Sequence, residues 1–190
     1  MEDSLKLDME STALVVIDLQ KGIVRMPVAP NDAKTVIANA AALAGAFRKR
    51  GMQVFLVRVM LNEKERLEPV ADQQSSLGDL PKDWSEIVPE LGPEEGDVVI
   101  TKKQWGAFYG TELGLQLRRR GIRTIVLSGI STNIGVESTA RFAYEHAYQQ
   151  IFAKDAMAAR SEEEHNHSIK FIFGRIGRVR KTAEILEALR

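Results

Sequence analysis

Four short runs of apolar residues, rich in β-branched side chains, recur along the chain and predict strands. They read ALVVID, QVFLVRVM, DVVIT and TIVLSGI, at residues 13–18, 53–60, 97–101 and 124–130. A weaker run, QQIFAKDA, covers residues 149–156. Because these runs are apolar almost continuously rather than at alternate positions, they are typical of strands buried on both faces of a parallel sheet.

Segments with helical character separate the strands. Residues suited to starting these helices are Asn31 with Asp32, Thr111, Ser161 with Glu164 in the spacing of a capping box, and Thr182. Strands that alternate with helices in this order predict an α/β fold with a mainly parallel sheet and helices on both faces. The length of 190 residues indicates a single domain over residues 1–190.

The stretch from about residue 61 to residue 96 has no clear periodicity and exceeds the usual length of a connection. Long irregular connections tend to be functional covers or interface elements. We therefore expect this loop to have one of these roles.

Charge and cysteine content narrow the function classes. Lys plus Arg and Asp plus Glu number 26 each, so the sequence does not predict nucleic acid or an anionic membrane as a partner. The acidic amino terminus lacks the features of a secretory signal, and no apolar run approaches about 20 residues. We therefore expect a cytoplasmic protein. The chain has no cysteine, which excludes disulfides, thiolate catalysis and cysteine-bound zinc.

Candidate functional residues follow the predicted strands, because ligands bind at the carboxyl ends of strands in open α/β sheets. Asp18 and Gln20 follow the first strand, and Lys102 ends the third. A partly desolvated Asp18 is suited to general acid or base work, although it could instead cap backbone amides. Lys102 could hold a carboxylate ionised or stabilise negative charge, although a solvated lysine is the commoner case.

Two further stretches offer binding surfaces. The segment QWGAFYG, with Trp105 and Phe108, could form an apolar wall for a ligand or pack into the core. In GISTNIGVESTA, small polar residues lead into Gly135 at the start of a helix. Free amides there could bind an oxyanion, carboxylate or phosphate, or the polar residues could serve only as a cap. The three histidines are interpreted as structural or exposed, and no metal site is predicted.

Four motifs, in order along nearly the whole chain, resemble the isochorismatase-like hydrolase superfamily. They are VVIDLQ, ITKKQWGAFYGTEL, LSGISTNIGVESTARFA and KDAMAARSEEEHNHSI. The resemblance implies a Rossmann-like three-layer α/β/α fold with a roughly six-stranded sheet. It places the family's catalytic aspartate at Asp18, its lysine at Lys102 and its nucleophilic cysteine at Gly135. It also implies a cis peptide bond at Ile130–Ser131.

The glycine at position 135 changes the chemistry that the resemblance implies. Without a thiol, no thioester can form, and we do not expect nicotinamidase-type activity. Isochorismatases also carry glycine here and hydrolyse a vinyl ether with an aspartate as acid. By this resemblance Asp18 would protonate the substrate, while Lys102 and the Gly135 amide would hold polar groups. Whether Lys102 or burial controls the pKa of Asp18 is left open by the sequence.

The residues expected to contact substrate are Gln20, Trp105, Phe108, Ile130, Ser131, Asn133 and Ile134. Isochorismatases have tyrosine and alanine where this chain has Ser131 and Thr132, so we do not expect isochorismate itself to be the substrate. Arg58 and Arg66 are the candidates for binding a substrate carboxylate.

Two functions from different classes remain open. One is a hydrolase of a small metabolite that uses no cofactor and no metal. The other is a catalytically silent member that binds a small molecule or serves as an oligomeric scaffold. Members of the family are commonly dimers or larger, so the resemblance implies a homo-oligomer.

Overall fold

Six parallel strands form the central sheet of the protein. The computed structural model describes residues 5–61, 69–72 and 79–190. The sheet has the order β3-β2-β1-β4-β5-β6, and all five neighbouring pairs are parallel. The strands are Thr12–Ile17 (β1), Gln53–Val59 (β2), Val98–Lys102 (β3), Thr124–Ile130 (β4), Gln149–Ala158 (β5) and Arg178–Arg180 (β6).

The five strands predicted from apolar runs are confirmed, with ends that differ by two residues or fewer. The weak run at 149–156 extends to Ala158 and forms the longest strand, β5. The sixth strand, β6, comes from a basic stretch that has no apolar run to mark it. It is three residues long and half-buried at the sheet edge, so pairing with β5 rather than hydrophobicity defines it.

Helices and helical turns connect the strands. The helices are Lys21–Val24 (α1), Ala33–Arg48 (α2), Leu113–Arg119 (α3), Glu137–Glu145 (α4), Glu162–His167 (α5), Gly174–Ile176 (α6) and Thr182–Ala188 (α7). A 3₁₀ turn covers Pro89–Leu91, and π-helical turns cover Thr132–Val136 and Ser168–Phe173. Among the described residues, no helix combines the length and apolar character needed to cross a membrane.

Side-chain caps account for several helix starts. The Asp32 carboxylate accepts from the Thr35 amide at 2.7 Å, and the Ser161 hydroxyl accepts from the Glu164 amide. Both caps confirm the sequence prediction. The cap residue of α3 is Glu112 rather than Thr111, but the Thr111 hydroxyl still accepts from the Leu113 amide at 3.1 Å.

Two apolar clusters, one on each face of the sheet, produce the three-layer α/β/α arrangement. One cluster contains α2 and α7 side chains such as Val36, Phe47 and Ile185. The other contains α3 and α4 side chains such as Leu117 and Ala143. Strands buried on both faces explain why the sequence shows continuous rather than alternating apolar runs.

Along the chain, β2 and β3 are added on one side of β1, and β4, β5 and β6 are added on its other side. The boundary between β1 and β4 is therefore the topological switch point, and it lies at the centre of the sheet. The close approach of the two strands requires glycine at position 129. That residue has φ of 120°, and a Cβ there would lie 2.0 Å from the Ile17 carbonyl oxygen. The chain segments that follow β1 and β4 therefore leave the sheet side by side.

The long connection predicted over residues 61–96 is described in part. Residues 62–68 and 73–78 lie outside the described residues, and so does Arg66. Near its carboxyl end, the connection pairs with the segment that follows β1, because Ile87 forms an antiparallel bridge with Gln20. The Trp84 ring lies over Gly22, where any Cβ would meet it.

Candidate active site

Asp18 is the first residue after β1 and is almost completely buried. Its φ of 52° is in the left-handed region, which turns the chain out of the strand. Its amide still donates to the Val57 carbonyl at 2.9 Å, so the turn remains attached to β2. The backbone thus fixes the carboxylate at the carboxyl end of the sheet.

Lys102 is the last residue of β3, two strands away from β1. Strands lie about 4.8 Å apart, so a side chain must span roughly 10 Å to reach Asp18. The lysine does so: its Nζ lies 2.7 Å from Asp18 Oδ2, with the side chains 2% and 7% exposed. Nζ also donates to the Trp105 carbonyl at 2.7 Å. The structure therefore brings together two residues that are 84 positions apart in the sequence.

Burial controls the protonation of Asp18. Loss of solvent raises the pKa of Asp18 from 3.8 to about 6, although the positive charge and the hydrogen bond of Lys102 both act to lower it. The second carboxylate oxygen, Oδ1, is buried and has no hydrogen-bond partner among the described residues. A carboxyl with this pKa and one unpartnered oxygen is suited to exchanging a proton with a bound molecule.

Gly135 faces the Asp18–Lys102 pair directly. A Cβ on this residue would lie 3.1 Å from Asp18 Oδ2, 3.3 Å from Lys102 Nζ and 3.0 Å from Ile17 Cγ2. Position 135, to which the family resemblance assigns the nucleophile, is therefore adjacent to the pair. A Cβ at position 135 would therefore fit tightly, and these neighbours would have to move by a few tenths of an ångström to admit it.

Two backbone amides in the turn between β4 and α4 are hydrogen-bonded to a carbonyl of the same turn. Its Ile130–Ser131 peptide bond is cis, as the family resemblance implied. The amides of Ile134 and Val136 both donate to the Ser131 carbonyl. Free amides at the start of this helix were one sequence interpretation, and the amides of Ile134 and Val136 are not free. A π-helical turn directs both N–H groups back to Ser131.

Gln20 has a buried carboxamide that bonds to backbone groups. Its Nε2 donates to the carbonyls of Val59 and Trp84, and its Oε1 accepts from the Val59 amide at 2.8 Å. Both ends of the amide are thus committed to protein. This geometry favours a role in holding β2 and the Trp84 segment against β1 over direct contact with substrate.

The two aromatic residues expected to line a wall have different positions. Trp105 has a side chain that is 66% exposed, and its carbonyl contacts Lys102. Phe108 is 9% exposed and packs against the rings of His146 and Tyr148. The core-packing interpretation is therefore the correct one for Phe108, because its neighbours follow α4 and precede β5, at the opposite end of the sheet.

The other residues expected to contact substrate also lie in different places, some in the core and some in the turn after β4. Ile130 is buried in the apolar cluster that contains α2, so it packs the core. Ser131, Asn133 and Ile134 are half-buried in the turn, and the Ser131 hydroxyl donates to Asn133 Oδ1 at 3.1 Å. Arg58 donates to the Thr101 hydroxyl at 3.1 Å, which couples it to β3.

Residues behind the turn were missed as contributors to the site. Thr132 is fully buried and shares a 2.9 Å hydrogen bond with His165 Nδ1 from α5. Burial lowers the pKa of His165, as expected for an imidazole that supports structure. The sequence interpretation of this histidine as structural is consistent with the contact. Its partner could not be predicted, because the two residues are 33 positions apart.

Comparison with known proteins identifies the family of the chain. Residues 12–184 match the isochorismatase domain family. The chain is 51% identical over 193 residues to the uncharacterized isochorismatase family protein YwoC of Bacillus subtilis, with both chains fully covered.

Two solved structures extend the comparison. An isochorismatase family protein from Burkholderia thailandensis has a TM-score of 0.92 and 44% identity, covering 97% of each chain. N-carbamoylsarcosine amidase from Thermoplasma acidophilum has a TM-score of 0.75 and 30% identity, covering 90% of this chain and 96% of its own. The fold, the order of the motifs and these similarities show that the chain belongs to the isochorismatase family of hydrolases.

Proposed function

We propose that the protein hydrolyses a small metabolite without a covalent enzyme intermediate, with Asp18 as general acid and base and Lys102 as its electrostatic partner. The observation that carries this proposal is the buried Asp18–Lys102 pair, in which Oδ1 of Asp18 is unpartnered and beside which Gly135 offers no side chain. A thioester route is closed because the chain has no cysteine.

A vinyl ether is the substrate class that best fits these groups. Protonated Asp18 gives its proton to the terminal carbon of the enol ether, and an oxocarbenium ion results. Water adds to this cation, and the carboxylate accepts the proton that the water loses. The hemiketal then collapses to a carbonyl compound and an alcohol. Lys102 supports the carboxylate formed in the first step.

A catalytically silent binding protein is the second candidate. Its motivation is the proximity of the pair to Gly135, which leaves little room for a reacting atom at that point. The two candidates separate in a screen of vinyl ethers, amides and esters. Turnover of any class by the wild-type protein supports the hydrolase, whereas binding without turnover supports the silent protein. The amidase neighbour makes small amides and carbamoyl compounds a necessary part of the screen.

The pH dependence of kcat/KM tests the acid role of Asp18. Because burial raises its pKa to about 6, the protonated form predominates below that pH and declines above it. We expect kcat/KM to be constant at low pH and to fall about tenfold per pH unit above about pH 6. Initial rates between pH 4.5 and 8.5 measure this profile. A rate that instead rises through pH 6 indicates a general base and contradicts protonation as the first step.

We also propose that the chain forms a homo-oligomer. Several large side chains in the segment that follows β3 and on α4 are exposed, among them Trp105, Tyr109, Phe142 and Tyr144. Exposed aromatic groups of this kind are typical of protein interfaces. Size-exclusion chromatography with light scattering is expected to give a mass of at least twice the 21.2 kDa of one chain. A monomer at all concentrations tested contradicts the proposal.

A further inference from the structure

Thr139, on α4, carries a buried hydroxyl that connects two parts of the chain. The residue is fully buried, and its Oγ1 donates to the Gly135 carbonyl at 2.7 Å. The same oxygen accepts from the Ala107 amide at 3.0 Å. The first bond, to the residue four positions earlier, is common for threonine in helices. The second crosses 32 positions of sequence and is not a helical contact.

The second bond has a structural reason. Ala107 lies in an irregular segment yet is fully buried, so its N–H group needs a partner that water cannot supply. The Thr139 hydroxyl is that partner. One side chain therefore satisfies a buried amide and fixes the distance between the segment that follows β3 and the turn that follows β4.

Both connected parts contact the Asp18–Lys102 pair. Two residues before Ala107, the Trp105 carbonyl accepts from Lys102 Nζ at 2.7 Å. Gly135, whose carbonyl accepts from Thr139, faces the carboxylate and the ammonium group. Through these two hydrogen bonds, Thr139 connects the segment whose Trp105 carbonyl binds Lys102 to the Gly135 backbone on the other side of the pair.

We propose that Thr139 is a positioning residue for the Asp18–Lys102 pair. It touches neither charged group and acts through Ala107 and Gly135. The inference rests on the proposed function insofar as it concerns turnover. The geometry of the pair, in contrast, is a property of the folded chain and can be measured without any substrate.

The test compares Thr139→Val with Thr139→Ser. Valine keeps the branched shape but has no hydroxyl, whereas serine keeps the hydroxyl. We expect Thr139→Val to lower kcat by roughly ten- to a hundredfold with little change in KM, because misplacing reacting groups by about 1 Å can lower the rate about a hundredfold. Thr139→Ser is expected to retain most of the wild-type kcat.

Titration of the Asp18 carboxyl by carbon-13 NMR supplies the readout that needs no substrate. In Thr139→Val, Lys102 is less well held beside Asp18, so the pKa of Asp18 is expected to rise above its wild-type value. In Thr139→Ser it is expected to stay unchanged. An unchanged or lower pKa of Asp18 in folded Thr139→Val overturns the inference, and so does an equal shift in both variants.

These outcomes are separable from failure of the proposed function. If the wild-type protein turns over none of the compounds screened, the hydrolase proposal fails. A shift of the Asp18 pKa that occurs with valine and not with serine then still supports positioning by Thr139. Thermal unfolding of both variants confirms that each titration reports on folded protein.

Discussion

Asp18→Asn is expected to lower turnover by at least about 100-fold, because general acid catalysis contributes about 10² to 10⁴ in rate. Asparagine has nearly the same shape as aspartate but has no carboxyl proton to give. The measurement is kcat/KM at pH 5.5, where wild-type Asp18 is largely protonated, since its pKa is raised to about 6. Activity equal to that of the wild type would contradict the proposed role of Asp18.

The effect of this substitution on stability has two opposing parts. Burial raises the folded-state pKa of Asp18 above 3.8, so its contribution to stability is fully present below pH 3.8 and is lost as the pH rises through about 6. At neutral pH, burial of the ionised carboxylate lowers the free energy of unfolding by about 3 kcal/mol for a pKa shift of this size. Asparagine, which has no charge, removes this penalty. It also leaves Lys102 buried without its carboxylate, which costs about 3 to 5 kcal/mol.

Two further variants separate chemistry from folding. Asp18→Asn combined with Lys102→Met removes both charges, and this double variant is expected to fold and to remain inactive.

Asp97→Asn is the matched control, because Asp97 is also an aspartate with a buried side chain, 2% exposed, in an ion pair with Arg48 at 2.6 Å. Asp97 precedes β3 and lies at the opposite end of the sheet from Asp18. We expect Asp97→Asn to lower the free energy of unfolding and to preserve kcat/KM.

Gly135→Ala is expected to lower turnover about tenfold or more without unfolding the protein. The added Cβ would lie 3.0 to 3.3 Å from Ile17, Asp18 and Lys102, so these neighbours must move by a few tenths of an ångström. Because a displacement of reacting groups by about 1 Å can lower a rate about a hundredfold, we expect this smaller shift to lower it about tenfold. Gly45→Ala is the control, because a Cβ at that exposed α2 position meets nothing within 4 Å. Activity unchanged in Gly135→Ala would show that the pair tolerates displacement.

Gly135→Cys tests whether the rest of a cysteine hydrolase is present. The chain has no other cysteine, so an adduct on a cysteine thiol can lie only at position 135. The ammonium group of Lys102 favours the thiolate, which is the nucleophilic form. We expect Gly135→Cys to hydrolyse small amides that the wild type and Gly135→Ala do not, with an acyl adduct visible by mass spectrometry. Gly45→Cys controls for a surface thiol.

An inactive Gly135→Cys that folds and forms no adduct would contradict this expectation. In that case the proximity of Asp18 and Lys102 to position 135, rather than the missing thiol alone, prevents thiol chemistry. The same result would leave the non-covalent proposal standing, because that proposal depends on Asp18 and not on a nucleophile at position 135.

The grouping of Asp18, Lys102 and Gly135 was predictable because strand ends are predictable. The apolar runs identified β1, β3 and β4, and the rule that ligands bind at the carboxyl ends of strands selected Asp18, Lys102 and the turn containing Gly135. The runs missed β6, whose three half-buried residues carry no hydrophobic signal. Phe108 and Ile130 were assigned to the substrate pocket because sequence position does not show which way a side chain points.

The sequence by itself determined the α/β class, the family and the absence of a thiol, because each depends on local pattern or on residue identity. The tertiary structure alone decided the protonation of Asp18, the commitment of Gln20 to backbone groups and the link made by Thr139. Each of these depends on groups far apart in the chain that packing brings to within about 3 Å, where burial and charge act together. Gly135 shows both sides: its identity means that this position offers no thiol nucleophile, and its place beside the Asp18–Lys102 pair is a property of the fold.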